Sequence, residues 1–178
     1  TLEAHRALLN SSSLVFPTEV SATKWRESIG QKVLGPSTIL PQGMYQARFD
    51  RTLEQPNLKS PPIWASGDTP TILGVGYGDY RKGFDRFLQV CSKLAGVLPI
   101  RAVWMGGVDP QLMEDALSGL KLSDSMVRRW MTILPFDLDW GNTARHYLGA
   151  DLLFVSSRED PFPSVVLEAT SFGIPSAV

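Results

Sequence analysis

The stretch Asp151–Pro175, "DLLFVSSREDPFPSVVLEATSFGIP", passes from a continuous apolar run through charge and two prolines into apolar residues at helical spacing. A run such as "DLLFVSS" reads as a strand buried on both faces, which is how strands look in a parallel sheet covered by helices. Pro161 and Pro163 fix the backbone of the corner that follows. "SVVLEATSFG" then reads as a helix, and "PSAV" as the start of another strand. One strand, a shaped turn and a helix make the repeating unit of an α/β fold.

The same texture recurs from Thr71 onward. "TILGVG" is a β-rich run ending in glycines. "KGFDRFLQVCSKLAGV" sets Phe84, Phe87, Leu88, Cys91, Leu94 and Ala95 on one helical stripe. "IRAVWMGG" is the next strand, and "PQLMEDALSGL" the next helix, with Pro110 suited to a first turn. "MTILPF" reads as a strand and "GNTARHYLGA" as a short helix. This alternation predicts a doubly wound parallel sheet over residues 71–178. The first part of the chain has another character. Residues 1–10 read as the end of a helix, "SLVFPT" as a strand, "SATKWRESI" as a helix capped by a serine, and "VLGPSTILPQG" as an extended piece. Residues 44–70, rich in proline and without sustained periodicity, read as a linker. The expected organisation is therefore 1–43, a linker over 44–70, and an α/β domain over 71–178.

Composition bounds the function. The 178 residues are 43% hydrophobic and 20% charged, and 17 basic against 18 acidic residues leave a formal net charge of -1. Nothing in that balance points to nucleic acid or another polyanion, so any phosphate site must be local. One cysteine, Cys91, excludes an internal disulfide and fits a reducing compartment. No run approaches the roughly 18 apolar residues that a membrane helix needs.

In doubly wound sheets, ligands sit beyond the carboxyl ends of the strands. Three such exits carry polar or glycine-rich sequence: "GYGDYRKG", "PFDLDWGN" and "SSREDPFPS". The first is not a dinucleotide fingerprint. After Gly74-x-Gly76 the third glycine would fall on Asp79, and the next strand ends "WMGG" without the acid that would hold a ribose. A P-loop's Gly-Lys-Ser/Thr is also missing. What remains is a flexible turn with Arg81 and Lys82 at a helix N-terminus, where their charges would add to unpaired N–H groups and suit a diphosphate. A solvated basic pair on a surface loop accounts for the same residues equally well. Asp160 and Glu168 admit a two-carboxylate glycosidase reading. They also admit a plain one, in which acids near a helix start are caps and dipole partners; the proline corner weakens this second reading. His5 and His146 are too few and too isolated for a metal site or a triad.

Taken together, "GYGDYRKGFD" and "SSREDPFPSVVLEATSFGIP" strongly resemble the donor-binding domain of the GT-B glycosyltransferases, in the retaining family 4, or group 1, set. That family shows Lys-Gly-x-Asp after the first strand of its second domain, and later two acids separated by seven residues. Here they fall on Asp160 and Glu168. The resemblance covers about residues 70–178, and residues 1–43 look like the end of such a protein's acceptor domain. It implies a Rossmann-like donor-binding domain, incomplete at its C-terminal side, within a longer enzyme; the fragment alone is expected to be inactive.

The resemblance also implies roles. Lys82 would neutralise the leaving nucleoside diphosphate, Asp160 would hold hydroxyls of the donor sugar, and Glu168 would hold the ribose; these three form the catalytic set. Gly76, Tyr77, Arg81, Phe136, Phe162, Pro163, Ser164 and Val165 complete the donor site, with backbone N–H groups around residues 162–165 facing the sugar and diphosphate. Transfer would proceed with retention by front-face attack, without a side-chain nucleophile, cofactor or divalent metal. The donor would be a nucleotide sugar and the acceptor a saccharide or a lipid-linked group. The implied setting is bacterial polysaccharide or glycoconjugate synthesis in the cytoplasm, with peripheral membrane association at its inner face. Three positions depart from the family. Asp160 stands where Glu is usual, Tyr77 stands where Arg is common, and Pro163 replaces a glycine and removes a donor. A non-catalytic nucleotide-sugar binding module and a GT-B sugar-nucleotide epimerase are the alternatives.

Overall fold

A computed structural model of the chain describes residues 13–29, 36–43, 58, 62–65, 67–137 and 139–178. The helix expected over residues 1–10, and most of the expected linker, lie outside the described residues. By contact the chain divides into two units, residues 1–43 with Pro161–Ser164, and residues 44–160 with 165–178.

In the first unit, β1 (Leu14–Phe16) pairs in parallel with β2 (Ser37–Ile39). Between them in sequence lies α1 (Glu19–Ile29). Leu14, Phe16 and Ala22 form its buried cluster, with Ile39 packed against them. The helix begins two residues before the serine expected to cap it. Thr18 takes that role, its Oγ1 accepting from the Ser21 amide at 3.1 Å. The cap therefore follows directly on Pro17, and Ser21 falls inside the first turn.

The second unit is built on five strands, all parallel, in the order β5-β4-β3-β6-β7. They are β3 (Thr71–Val75), β4 (Arg101–Met105), β5 (Met131–Leu134), β6 (Leu152–Phe154) and β7 (Ser176–Ala177). The helices are α2 (Phe84–Ala95), α3 (Pro110–Leu120), α4 (Asp124–Val127), α5 (Trp140–Leu148) and α6 (Ser164–Ser171). Local chemistry starts them. Asp109 caps α3, accepting from the Leu112 amide at 3.0 Å ahead of Pro110. Asp139 caps α5, accepting from the Asn142 amide at 3.1 Å, so that helix opens at Trp140, one residue earlier than the sequence pattern implies.

Alternate residues along each strand bury opposite faces of the sheet. On one face Ile72, Ala102, Trp104 and Met131 meet Phe84, Phe87, Leu88 and Cys91 of α2. On the other, Leu73, Val103, Met105 and Leu153 meet Tyr147 of α5 and Ala169 of α6. Both faces are covered, as the apolar runs predict. Trp104 anchors the first layer, meeting Phe84 and Phe87 edge-on at centroid distances of 5.2 and 5.0 Å. Gly74 makes that packing possible, because a Cβ there would overlap the Trp104 ring and come within 2.8 Å of Phe87. Burial pushes the Cys91 thiol up to about 12, so it is a core residue and not a nucleophile.

β3 and β6 lie side by side in the centre, yet the chain leaves β3 toward β4 on one side and returns to β6 on the other. Crossovers on either side of this point part to opposite faces of the sheet and open a crevice beyond the strand ends. That fixes where a site can form.

Candidate functional site

The exits of β3 and β6 are joined across this crevice. After β3 the chain runs through Gly76 and Tyr77 into a tight turn at 79–83. Asp79 organises that turn: its Oδ1 accepts from the Lys82 amide at 2.6 Å, and its carbonyl accepts from the Gly83 amide at 3.0 Å. The expectation of unpaired N–H groups at this helix start is therefore corrected for these two amides, which Asp79 already satisfies. The charge that this turn presents toward the β6 exit is the Lys82 ammonium. Gly83 has φ 69, and a Cβ there would overlap the Ser156 carbonyl, so only glycine lets the two exits come this close. Ser156 Oγ in turn donates to the Lys82 carbonyl at 3.1 Å.

This close approach brings Lys82 and Asp160 together, although they are 78 positions apart in sequence. Lys82 Nζ lies 2.5 Å from Asp160 Oδ2, with the two side chains only 19% and 13% exposed. Arg81, one position earlier, is exposed and donates from Nη1 to the Glu159 carbonyl at 3.3 Å.

The exit of β5 supplies a second wall. Phe136, Trp140 and Thr143 face Gly76 and the α6 residues Val165 and Glu168 around a cavity of about 270 Å³. Val165 also lines a cleft of about 10 Å³ together with Lys82, Ser156 and Ser157. The charged pair and the larger cavity are thus neighbours. Glu168 is held from behind by Tyr147, whose Oη donates to Glu168 Oε2 at 2.6 Å. Tyr147 is fully buried and stacks on Phe172. Burial, and then the Glu168 charge, raise its phenol above the ordinary tyrosine range, so it remains a donor. Asp137, at the cavity rim, accepts from the Asp139 amide and from Asn142 Nδ2, and these bonds hold its carboxyl below the usual carboxylate range.

Of the residues singled out in the sequence, Gly76, Lys82, Phe136, Asp160, Val165 and Glu168 gather at this crevice. Tyr77 is 54% exposed and does not line the cavity. Phe162, Pro163 and Ser164 group by contact with the first unit. His146 takes another role, its Nδ1 accepting from Trp64 Nε1 at 3.0 Å with the two rings stacked. Tyr147, Trp140, Thr143 and Arg158 hold no motif position in the sequence, and Asp85 is the acid of the Lys-Gly-x-Asp motif, which assigns it no role of its own. Among the described residues, helix α4 in "LSDSM" and the 3-10 turn Ile63–Ala65 within the expected linker have no counterpart in the sequence reading, for want of periodicity over so few residues.

Chemically, the arrangement offers a cation beside a carboxylate, next to an apolar cavity with a second, oriented carboxylate on its wall. That suits a ligand with an anionic centre, a hydroxyl-bearing part and a flat or apolar end.

Comparison with known proteins gives a family match and a likeness of fold. The family described as "Glycosyl transferases group 1" matches residues 59–178. A curated relative, an uncharacterized glycosyltransferase of Haemophilus influenzae, is 25% identical over 182 residues; the match takes in 98% of this chain and 44% of that protein. Among solved structures, the sucrose-phosphate synthase of Thermosynechococcus elongatus superposes with a TM-score of 0.69 at 22% identity, covering 98% of this chain and 42% of that one. An α,α-trehalose-phosphate synthase (UDP-forming) from Burkholderia xenovorans, solved with glucose-6-phosphate, gives 0.73 at 14% identity, covering 96% of this chain and 46% of that one. At such identities the structural likeness concerns the fold. The chain spans less than half the length of each of these proteins.

Proposed function

The chain belongs to the glycosyl transferases group 1 family, and from that premise we propose that the crevice beyond β3 and β6 binds the nucleoside diphosphate of a nucleotide-sugar donor. In this reading the sugar passes, with retention, to a saccharide or lipid-linked acceptor. The observation that carries the reading is the pairing of Lys82 with Asp160 at the sheet's switch point, beside a cavity walled by Glu168. The UDP-forming trehalose-phosphate synthase among the similar folds supports UDP as the first nucleotide to try.

In this reading the roles are those that the family resemblance implies, and the geometry is compatible with them. Lys82 has three N–H donors, so it can keep one on Asp160 and turn the others to the diphosphate. Its charge there stabilises the negative charge that grows on the leaving nucleotide, an electrostatic contribution that strengthens in a partly dehydrated cleft. Asp160, beside that charge, accepts from hydroxyls of the donor sugar. Glu168 accepts from the ribose, its orientation fixed by Tyr147. The base lies in the cavity against Phe136 and Trp140. Retention then proceeds by departure and attack on one face of the sugar, with no side-chain nucleophile and no divalent metal.

Calorimetric titration with UDP, GDP and ADP in the presence of a chelator tests the reading. At least one nucleotide binds, and Lys82→Ala weakens it about tenfold or more, as loss of a charge-assisted contact does. Unchanged affinity in Lys82→Ala, or binding only with added magnesium, contradicts the site. The anomeric configuration of the product, read by NMR in the intact enzyme, tests retention.

A further inference from the structure

Arg158 lies on the loop after β6, two positions before Asp160, and it does not line the cavity. Its Nη1 and Nη2 donate to the two carboxylate oxygens of Asp85 at 2.7 and 2.6 Å. Nη1 also donates to the Tyr80 carbonyl at 2.7 Å, and the guanidinium carbon sits 3.7 Å from the centroid of the Tyr80 ring. The Arg158 amide donates to the Arg81 carbonyl at 2.8 Å. All of these contacts fall within residues 80–85, on both sides of Lys82. The ion pair is well sheltered, its side chains 18% and 27% exposed. The Arg158 hydrogen bonds hold the Asp85 carboxyl below the usual range, even though burial opposes this.

Arg158 thus grips the turn that presents Lys82 from the loop that presents Asp160. We propose that Arg158, with Asp85 as its anchor, is a positioning residue for donor binding: it fixes the Lys82 ammonium relative to Asp160, and so sets where the donor diphosphate is held. This rests on the donor-site reading above. A guanidinium is required because one planar group must reach both oxygens of Asp85, a carbonyl and a ring face together. A lysine ammonium, a point charge on a flexible stem, cannot meet that geometry. Without the clamp, the turn keeps its Asp79 bonds and its approach to Ser156, so it still folds, but Lys82 samples more than one position and must be ordered by the ligand.

The test is a double-mutant cycle read by UDP calorimetry and melting curves on the purified full chain, using Arg158→Lys, Asp85→Asn, Lys82→Ala and the combination of Arg158→Lys with Lys82→Ala. Because residues in one ionic network couple, Arg158→Lys weakens UDP binding about tenfold, and Asp85→Asn does so to a similar extent. In the Lys82→Ala background, Arg158→Lys costs nothing further, because the residue it positions is gone. A strut that only stabilises the fold predicts the opposite, lower melting temperatures with wild-type affinity, or losses that add in the double variant. Either of those results overturns the proposal. If Lys82→Ala weakens UDP while Arg158→Lys and Asp85→Asn do not, the clamp fails and the donor site stands. If Lys82→Ala binds UDP as the parent does, the donor site fails and the clamp with it.

Discussion

At the scale of single residues, the two acids of the crevice have different partners, and their variants separate accordingly. Tyr147 Oη donates to Glu168 at 2.6 Å. Glu168→Gln keeps an oxygen that can accept this bond, so the fold holds, while the ribose loses a charged acceptor; UDP affinity falls about tenfold, the usual weight of one such contact. Asp160→Asn removes the charge beside Lys82 and leaves the N–H donors that Lys82 turns to the diphosphate in place. UDP binding in that variant is retained or tightened, and the loss appears in sugar transfer by the intact enzyme. Calorimetry on the two variants decides the assignment: equal weakening in both contradicts it. Tyr147→Phe acts on stability instead, costing about 1–3 kcal/mol because a half-buried carboxylate loses its donor. A melting curve reads that directly. His146 adds a pH dependence. Burial first, and then Arg145, hold its imidazole below the ordinary 6.5, and its Nδ1 must be unprotonated to accept from Trp64. The unfolded chain therefore takes up this proton at a higher pH than the folded chain. The contribution is fully present above pH 6.5 and is lost as pH falls through the folded value. Melting temperature drops on acidification below 6.5, and His146→Gln flattens that part of the profile; an unchanged profile contradicts this role.

At the scale of elements, the turn between β3 and α2 decides whether there is a site at all. Gly83→Ala would place a Cβ onto the Ser156 carbonyl at a φ of 69, so the two strand exits must part. The expected result is a melting temperature several degrees lower, as overpacking commonly costs about 1–3 kcal/mol, together with a loss of UDP affinity; wild-type behaviour in both contradicts the close approach. Elements like these were largely legible in the sequence. Strands such as "TILGVG" and "DLLFVSS" announce themselves because both sides of them are buried, and α2 shows its stripe through Phe84, Phe87, Leu88 and Cys91, all buried. Boundaries were less legible, since they depend on which polar residue reaches an amide first: Thr18 rather than Ser21 for α1, and Asp139 for α5. The partners of site residues were not legible at all. Asp85 and Arg158 are 73 positions apart, and Tyr147 and Glu168 are 21 apart, with no local pattern linking them.

At the scale of the whole molecule, strand order turns scattered motifs into one place. Nothing in a single parallel strand states its neighbours, because long crossovers set the order. The residue pattern by itself names three polar exits but not which two adjoin; only the family resemblance put the first and the third into one site. The order β5-β4-β3-β6-β7 answers that, setting "GYGDYRKG" beside "SSREDPFPS" at the point where the winding reverses. Among the described residues no helix is long and apolar enough to cross a membrane. If a nucleoside diphosphate occupies this crevice with its phosphates on Lys82, a diffraction structure of the chain with UDP bound will show diphosphate oxygens within hydrogen-bond distance of Lys82 Nζ, ribose hydroxyls on Glu168, and the base in the cavity beside Phe136. UDP seated elsewhere, or seated in the cavity with its phosphates turned away from Lys82, would contradict that placement.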